Sequence, residues 1–225
     1  VFDLVKQHLK TGISSIHLRP TLALVDPLTT HSLPSGVVVS TGFDVLTHAI
    51  ESFTARPYMS REKPKFSSRP TYQGSNPFSD IGSKTAIQIG GTQLVKAVNE
   101  HENYEARHQL MFAATLAGQA FGNAGVHVPH AMSYSVAGLN HNYIAKGYES
   151  ASPMIPHGIS VVLNAPAAFR FTGRANPERH FQAANALGAD TTNVRINDGG
   201  EILAKRLIEM MQITGLPNGL RGVGY

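Results

Sequence analysis

From Leu33-Pro34-Ser35 onward, apolar residues recur every three to four positions and almost never alternate, so most of this chain must fold as packed helices. Residues 35–54 form one long helical candidate, and the Pro-, Ser- and charge-rich stretch 55–77 must be a loop. Asn76-Pro77-Phe78-Ser79-Asp80 has the composition of a helix start, and that helix is expected to run to about Val98. A third helix is expected from Glu102 to about Phe121, where the small residues of MFAATLAGQAF permit a close neighbour. A short helix near His130 and a loop through Pro153 follow. Further helices are expected over 156–171, 177–187 and 200–213, the last stopped by Gly215-Leu216-Pro217. Ahead of Leu33, Val1 to Lys10 has a helical period and Ile13 to Asp26 is the one β candidate. The expected fold class is mostly α with a short β entry, and that entry has the look of the tail of a preceding domain.

With 42% hydrophobic residues, the chain can bury a large core. Its net charge of +4 is local: Arg56, Arg61, Lys63, Lys65 and Arg69 stand against Glu62 alone, and the rest of the chain is neutral. One basic loop is an anion-attracting patch and lacks the distribution of a nucleic-acid stripe, so no nucleic acid partner is expected. No run approaches the roughly 18–20 apolar residues of a membrane span. The chain does not begin with Met and opens inside an apparent helix, as expected of a piece of a longer protein.

Cysteine is absent, which excludes disulfides, thiolate catalysis and sulfur-ligated metals and leaves His, Asp and Glu as ligands. In TGFDVLTHAIE, Asp44 and His48 are four apart on a helical pattern, with Cβ atoms about 5–6 Å apart on one face. That spacing suits two ligands on one cation, and it is equally common on ordinary exposed helix faces. A second group lies in 126–158: His127 and His130 in HVPHAMSY, His141, and His157 in Pro156-His157-Gly158. Pro129 is tolerable only near a helix start. Each histidine alone fits a satisfied core or surface role; the clustering of His-bearing segments in a Cys-free chain is what raises a metal site.

Asp44-x-x-x-His48, a His in HAMSY and a His in PHG, preceded by TLALVDPLTT, resemble the metal signature of the iron-containing alcohol dehydrogenase family. The resemblance implies a helical metal-binding C-terminal domain over 34–225, with 1–33 as the tail of a nucleotide-binding α/β domain. It implies the ligands Asp44, His48, His130 and His157, and Fe2+ as the metal, with zinc able to replace it. KTGISSIHLRPTLALVDP, RPTYQGSNPFSDI, FGNAGVHVPHAMSYSVAGL, PHGISVVLNAPAAFRFT and PERHFQAANALGAD are similar to one branch, the hydroxyacid-oxoacid transhydrogenases. Membership there implies oxidation of 4-hydroxybutyrate to succinic semialdehyde, coupled to reduction of 2-oxoglutarate to 2-hydroxyglutarate through a tightly bound NAD(H). Both substrates carry carboxylates, for which Arg56, Arg61, Lys63, Lys65 and Arg69 are the candidate contacts. The branch also implies a mitochondrial matrix location in a eukaryote, and otherwise the cytoplasm; the oligomeric state stays open, with a homodimer as one form.

Two departures matter. Where many family members carry a further His four positions after the third ligand, this chain has Tyr134, which donates a hydrogen bond but rarely relays protons near neutral pH. Tyr134 and His127 are therefore the candidate substrate-pocket residues. The glycine-rich phosphate loop expected of the nucleotide-binding half is missing, and Gly90-Gly91, inside a helical pattern, is a poor substitute, so no cofactor-binding residue is assigned. Other readings remain: a nicotinamide-dependent iron-type alcohol dehydrogenase of another substrate, a metallohydrolase with Glu51 as general base, and a non-catalytic helical module.

Overall fold

The computed structural model describes residues 2–7, 9–13, 15–18, 20–140, 142–148 and 152–225; His141 lies outside them. The helices are α1 (Ser35–Thr54), α2 (Pro77–Asn99), α3 (Tyr104–Ala124), α4 (Val128–Gly138), α5 (His157–Val162), α6 (Ala165–Thr172), α7 (Pro177–Ala186) and α8 (Gly199–Ile213). Two short strands, β1 (Phe2–Leu4) and β2 (Leu9–Thr11), pair antiparallel. The fold is mostly α, as the periodicity requires, and no helix among the described residues is long and apolar enough to cross a membrane.

α1 is the central helix. Phe43, Leu46, Ala49 and Ile50 are fully buried on it, and Thr47, Glu51 and Ser52 are buried too. A helix with polar residues buried among its apolar ones is enclosed on several sides: α2 and α3 pack on one side of α1, α5 and α7 on others. The side-chain oxygens of Asn76 and Asn103 accept the N–H of Ser79 and Ala106, both at 3.0 Å, and so cap α2 and α3. On α3, Ala113, Ala117 and Ala120 are buried, which is the close approach its small residues allow. Gly90-Gly91 sits inside α2, where a Cβ at Gly91 would lie 2.6 Å from the Leu187 carbonyl oxygen. A Cβ at Gly90 would meet the Leu46 side chain of α1 at 3.0 Å, so the pair is explained by packing, Gly90 against α1 and Gly91 against the end of α7.

Arginines fasten the frame. Arg179 pairs through both terminal nitrogens with Asp80, donates from Nε to the Phe53 carbonyl at 2.7 Å, and lies 3.8 Å over the Phe53 ring. One side chain thus ties α7 to α2 and closes the end of α1. Arg107, 2% exposed, donates to the carbonyls of Thr30, His31 and Leu33 and holds the chain entering α1.

Three local expectations are corrected. In the stretch expected to be helical, Val1 to Lys10, the described residues instead form a hairpin: Phe2–Leu4 pairs with Leu9–Thr11, and a 3-10 turn lies at Val5–Gln7. The helical spacing of that stretch spans less than three turns, too little to outweigh strand pairing. Among the described residues of the β candidate Ile13 to Asp26 there is no strand: a 3-10 turn occupies Ile16–Leu18, and Leu22 and Leu24 stand 86% and 92% exposed. Strand-forming residues become strands only by pairing, and the described ladder stops at the two strands β1 and β2. Residues 156–171 form two helices, because Pro166 has no N–H to continue α5 and opens α6 in its place.

Candidate metal centre

Asp44, His48 and Glu51 fall on one stripe of α1, at positions i, i+4 and i+7. α4 begins beside that stripe. Pro129 stands in its first turn, where the missing N–H costs nothing, and His130 follows, 4% exposed. α5 reaches the stripe from the other direction. A Cβ on Gly158 would sit 1.9 Å from the Ser40 carbonyl oxygen and 2.9 Å from the Asp44 Cβ. Only glycine permits that approach, and it delivers the adjacent His157 to Asp44. The Pro-His-Gly triplet is thus a device for bringing an imidazole against α1.

One ligand atom each from Asp44, His130 and His157 lie within 4.8 Å of one another. His130 Nε2 is 3.4 Å and His157 Nε2 3.9 Å from Asp44 Oδ1. His48 borders this group: its Nδ1 is 3.6 Å from the same oxygen, its ring stacks on Phe121 at 4.2 Å and tilts over His130 at 4.1 Å. Asp44 Oδ1, His130 Nε2 and His157 Nδ1 are buried with no hydrogen-bond partner. Buried polar atoms left unpaired are costly, and two of these, Asp44 Oδ1 and His130 Nε2, face each other at 3.4 Å, with the other nitrogen of His157, Nε2, 3.9 Å from the same oxygen. A carboxylate oxygen with imidazole nitrogens is the donor set of a borderline divalent cation such as Fe2+ or Zn2+, so the residues fit the metal.

The electrostatics describe the same pocket. Burial alone would raise the Asp44 carboxyl, but its contact with His130 and the nearby His48 and His157 rings hold it below the ordinary value. Burial pushes His48 down to about 4 against the pull of Asp44. Burial also lowers His157, with Asp44 raising it and His130 and Lys10 lowering it further. Neutral imidazole is the form that ligates a metal. His130 differs: burial disfavours its charge, but contacts with Asp44 and Glu51 outweigh that and raise it to about 9.

Of the two sequence-derived pocket residues, one sits beside the group. Tyr134 lies with its ring 6.1 Å from that of His157. His127 points elsewhere: its Nε2 is 3.0 Å from the Thr54 hydroxyl and its ring meets Phe169 edge-on. The cationic loop does not converge. Arg56 bonds the Ser60 carbonyl, Arg61 lies over Tyr72, Arg69 lies over Phe66, and the two lysines are exposed. Arg61, Lys63 and Arg69 line a surface cleft of about 460 Å³ with Tyr58 and Tyr72.

Glu51 overturns one expectation. It is fully buried, one oxygen accepts the His127 backbone N–H at 2.7 Å, and the other pairs closely with His130 Nδ1. A general base must face substrate or water, and this carboxylate faces neither. Its i+7 spacing from Asp44 was the signal that could have placed it at the centre.

The C-terminal domain model of the Fe-containing alcohol dehydrogenase family matches residues 71–225. The chain belongs to the iron-containing alcohol dehydrogenase family. Asp44 and His48 precede the matched segment, while His130 and His157 lie in it. A mitochondrial hydroxyacid-oxoacid transhydrogenase of Xenopus laevis is 47% identical over 227 aligned residues, covering 100% of this chain and 49% of that protein. The chain therefore spans about half the length of the curated relatives it matches. Among solved structures, 1,3-propanediol oxidoreductase superposes with a TM-score of 0.72 at 28% identity, over 89% of this chain and 44% of that one. Iron containing alcohol dehydrogenase from Thermococcus thioreducens superposes with a TM-score of 0.67 at 26% identity, over 91% and 44%.

Proposed function

We propose that this chain is the metal-binding helical half of a hydroxyacid-oxoacid transhydrogenase. The observation that carries the reading is the meeting of Asp44, His130 and His157, from three separate helices, with Asp44 Oδ1 and His130 Nε2 buried, adjacent and unpaired. Asp44, His130 and His157 would hold Fe2+, or zinc in its place, with His48 as the fourth ligand. A divalent cation there supplies Lewis acidity toward a substrate oxygen. The Tyr134 phenol, whose ring lies 6.1 Å from that of His157, would donate a hydrogen bond to the bound substrate. For 4-hydroxybutyrate and 2-oxoglutarate as the substrate pair, a nicotinamide held by the nucleotide-binding half would supply the hydride carrier, while this chain's residues would hold the metal and orient the substrate oxygen.

The remaining assignments rest on the same reading. Residues 1–33 belong with a nucleotide-binding half, and the exposed Leu22 and Leu24 are the surface such a half would cover. The carboxylate contact falls to the Arg61, Lys63 and Arg69 cleft. The relatives' name supports a mitochondrial location. Burial of Glu51 disfavours a metallohydrolase, and the unpaired ligand atoms disfavour a non-catalytic module.

The test is to incubate the full-length protein with 4-hydroxybutyrate and 2-oxoglutarate, without added nucleotide. Succinic semialdehyde and 2-hydroxyglutarate should form in equal amounts. Turnover only with stoichiometric free nicotinamide would replace the proposal by an alcohol dehydrogenase of another substrate, and nicotinamide-independent hydrolysis would replace it by a hydrolase.

A further inference from the structure

His130 enters the site through α4, yet nothing on α4 itself holds the helix start: its N-cap residue, His127, makes no side-chain cap. The cap comes from another helix. Glu51 on α1 accepts the His127 N–H at 2.7 Å and sits 3.4 Å from the His130 N–H with the same oxygen, Oε1. A carboxylate at a helix N-terminus satisfies free amides and the positive end of the dipole together. Its second oxygen, Oε2, pairs with His130 Nδ1. A carboxylate oxygen only accepts, so the proton of a neutral His130 is held on Nδ1 and the lone pair is on Nε2. Nε2 is the atom 3.4 Å from Asp44 Oδ1, and it is buried and unpaired.

We propose that Glu51 is a positioning residue for the metal centre: it locks His130 in the Nδ1–H tautomer with Nε2 aimed at the cation, and docks the start of α4 on α1 by the same carboxylate. The inference rests on the metal-centre reading and deepens it. Carboxylates that hold the far nitrogen of a ligating histidine fix ring orientation and raise its basicity. Here one side chain sets the tautomer and the backbone that carries it, so the ligand and its helix cannot drift apart. The separation along the chain is large, from Glu51 to His130, while Glu51 stands one helical turn from the ligand His48.

Glu51→Gln tests this with little change of shape. If the glutamine oxygen keeps the two amides, its NH2 group faces His130 Nδ1 and donates to it. The proton then moves to Nε2, the atom that must bind the cation. In the full-length protein, with Zn2+ alone as the probe, Kd in Glu51→Gln should rise about ten- to hundredfold. Because Glu51 also docks α4, the metal-free variant should melt below wild type; a Zn2+ affinity loss of that size measured well below the variant's own melting temperature, with the metal-free fold intact by circular dichroism, separates positioning from a merely structural role. Equal Zn2+ affinity in the two proteins would overturn the inference while leaving the metal centre standing. Failure of the wild type itself to bind Zn2+ would overturn the centre and this role together. Should Glu51→Gln fail to fold, ¹⁵N NMR of the Zn2+-loaded wild type decides: a proton on His130 Nδ1 supports the inference, and a proton on Nε2 overturns it.

Discussion

His130 and His180 are buried alike, 4% and 0% exposed, yet their nitrogens meet opposite circumstances. His180, at the corner of α6 and α7, is finished: Nδ1 donates to the Asn176 carbonyl and Nε2 meets the Thr172 hydroxyl, both at 2.8 Å. His130, where α1, α4 and α5 meet, has one nitrogen committed to Glu51 and the other unpaired beside an unpaired carboxylate oxygen. Burial alone therefore says nothing about ligation. What separates a ligand from a core histidine is hydrogen-bonding capacity left unused in the interior and shared with other side chains at one point.

The sharpest way to break this contrast is to remove the groups themselves. In the full-length protein, Asp44→Ala, His48→Ala and His157→Ala should each lower metal affinity by more than about a hundredfold, beyond the loss of a mere orienting neighbour. Elemental analysis after desalting would read this, and stoichiometric metal in all three would dissolve the distinction. His180→Ala should do the reverse, keeping full metal occupancy while losing about 2–4 kcal/mol of stability from a cavity and two broken hydrogen bonds. A folded His180→Ala protein without metal would break the contrast from the other side.

Acid sharpens it further. Burial pushes His180 down to about 4, so the folded state favours its neutral form. Its stabilisation is fully present above the ordinary value of about 6.5 and is lost as pH falls from there through about 4. That loss is on the order of 3 kcal/mol at most. His48 titrates in the same window, so the readout is the difference between wild type and His180→Gln in chemical denaturation across it; parallel curves would refute the assignment. The smallest effect is expected from His127→Ala, which forfeits the Thr54 contact, about 1 kcal/mol, and keeps its metal. Loss of metal there, with His130→Ala binding normally, would exchange the two histidines.

Much of this architecture was legible before any coordinates. α1 ends where the periodicity ends, because Arg56-Pro57 cannot continue a helix, and Asn76-Pro77 starts α2 by a cap that any sequence displays. The amino-terminal stretch was misread because spacing over ten residues does not distinguish a short helix from a hairpin, and because strand propensity in 13–26 has no partner strand to satisfy it. At the site, the i, i+4 pair on α1 was visible, but choosing among eleven histidines was not a matter of spacing. Chemistry narrowed the field by excluding cysteine, and the family resemblance pointed to His130 and His157. Only the packing shows why: Gly158 lets α5 touch α1, and Glu51 spends itself on His130 and not on substrate. The basic loop taught the converse, since nearness in sequence did not bring all five cations together: Arg61, Lys63 and Arg69 line one cleft, and Arg56 turns to the Ser60 carbonyl.

The most direct measurement is anomalous X-ray diffraction from crystals of the full-length protein grown with Zn2+ or Fe2+. One peak should appear among Asp44, His48, His130 and His157, with ligand distances near 2.0–2.2 Å for zinc. A cation found instead at the paired rings of His31 and His108, whose Nε2 atoms lie 2.8 Å apart, with none beside Asp44, would contradict the placement of the metal centre.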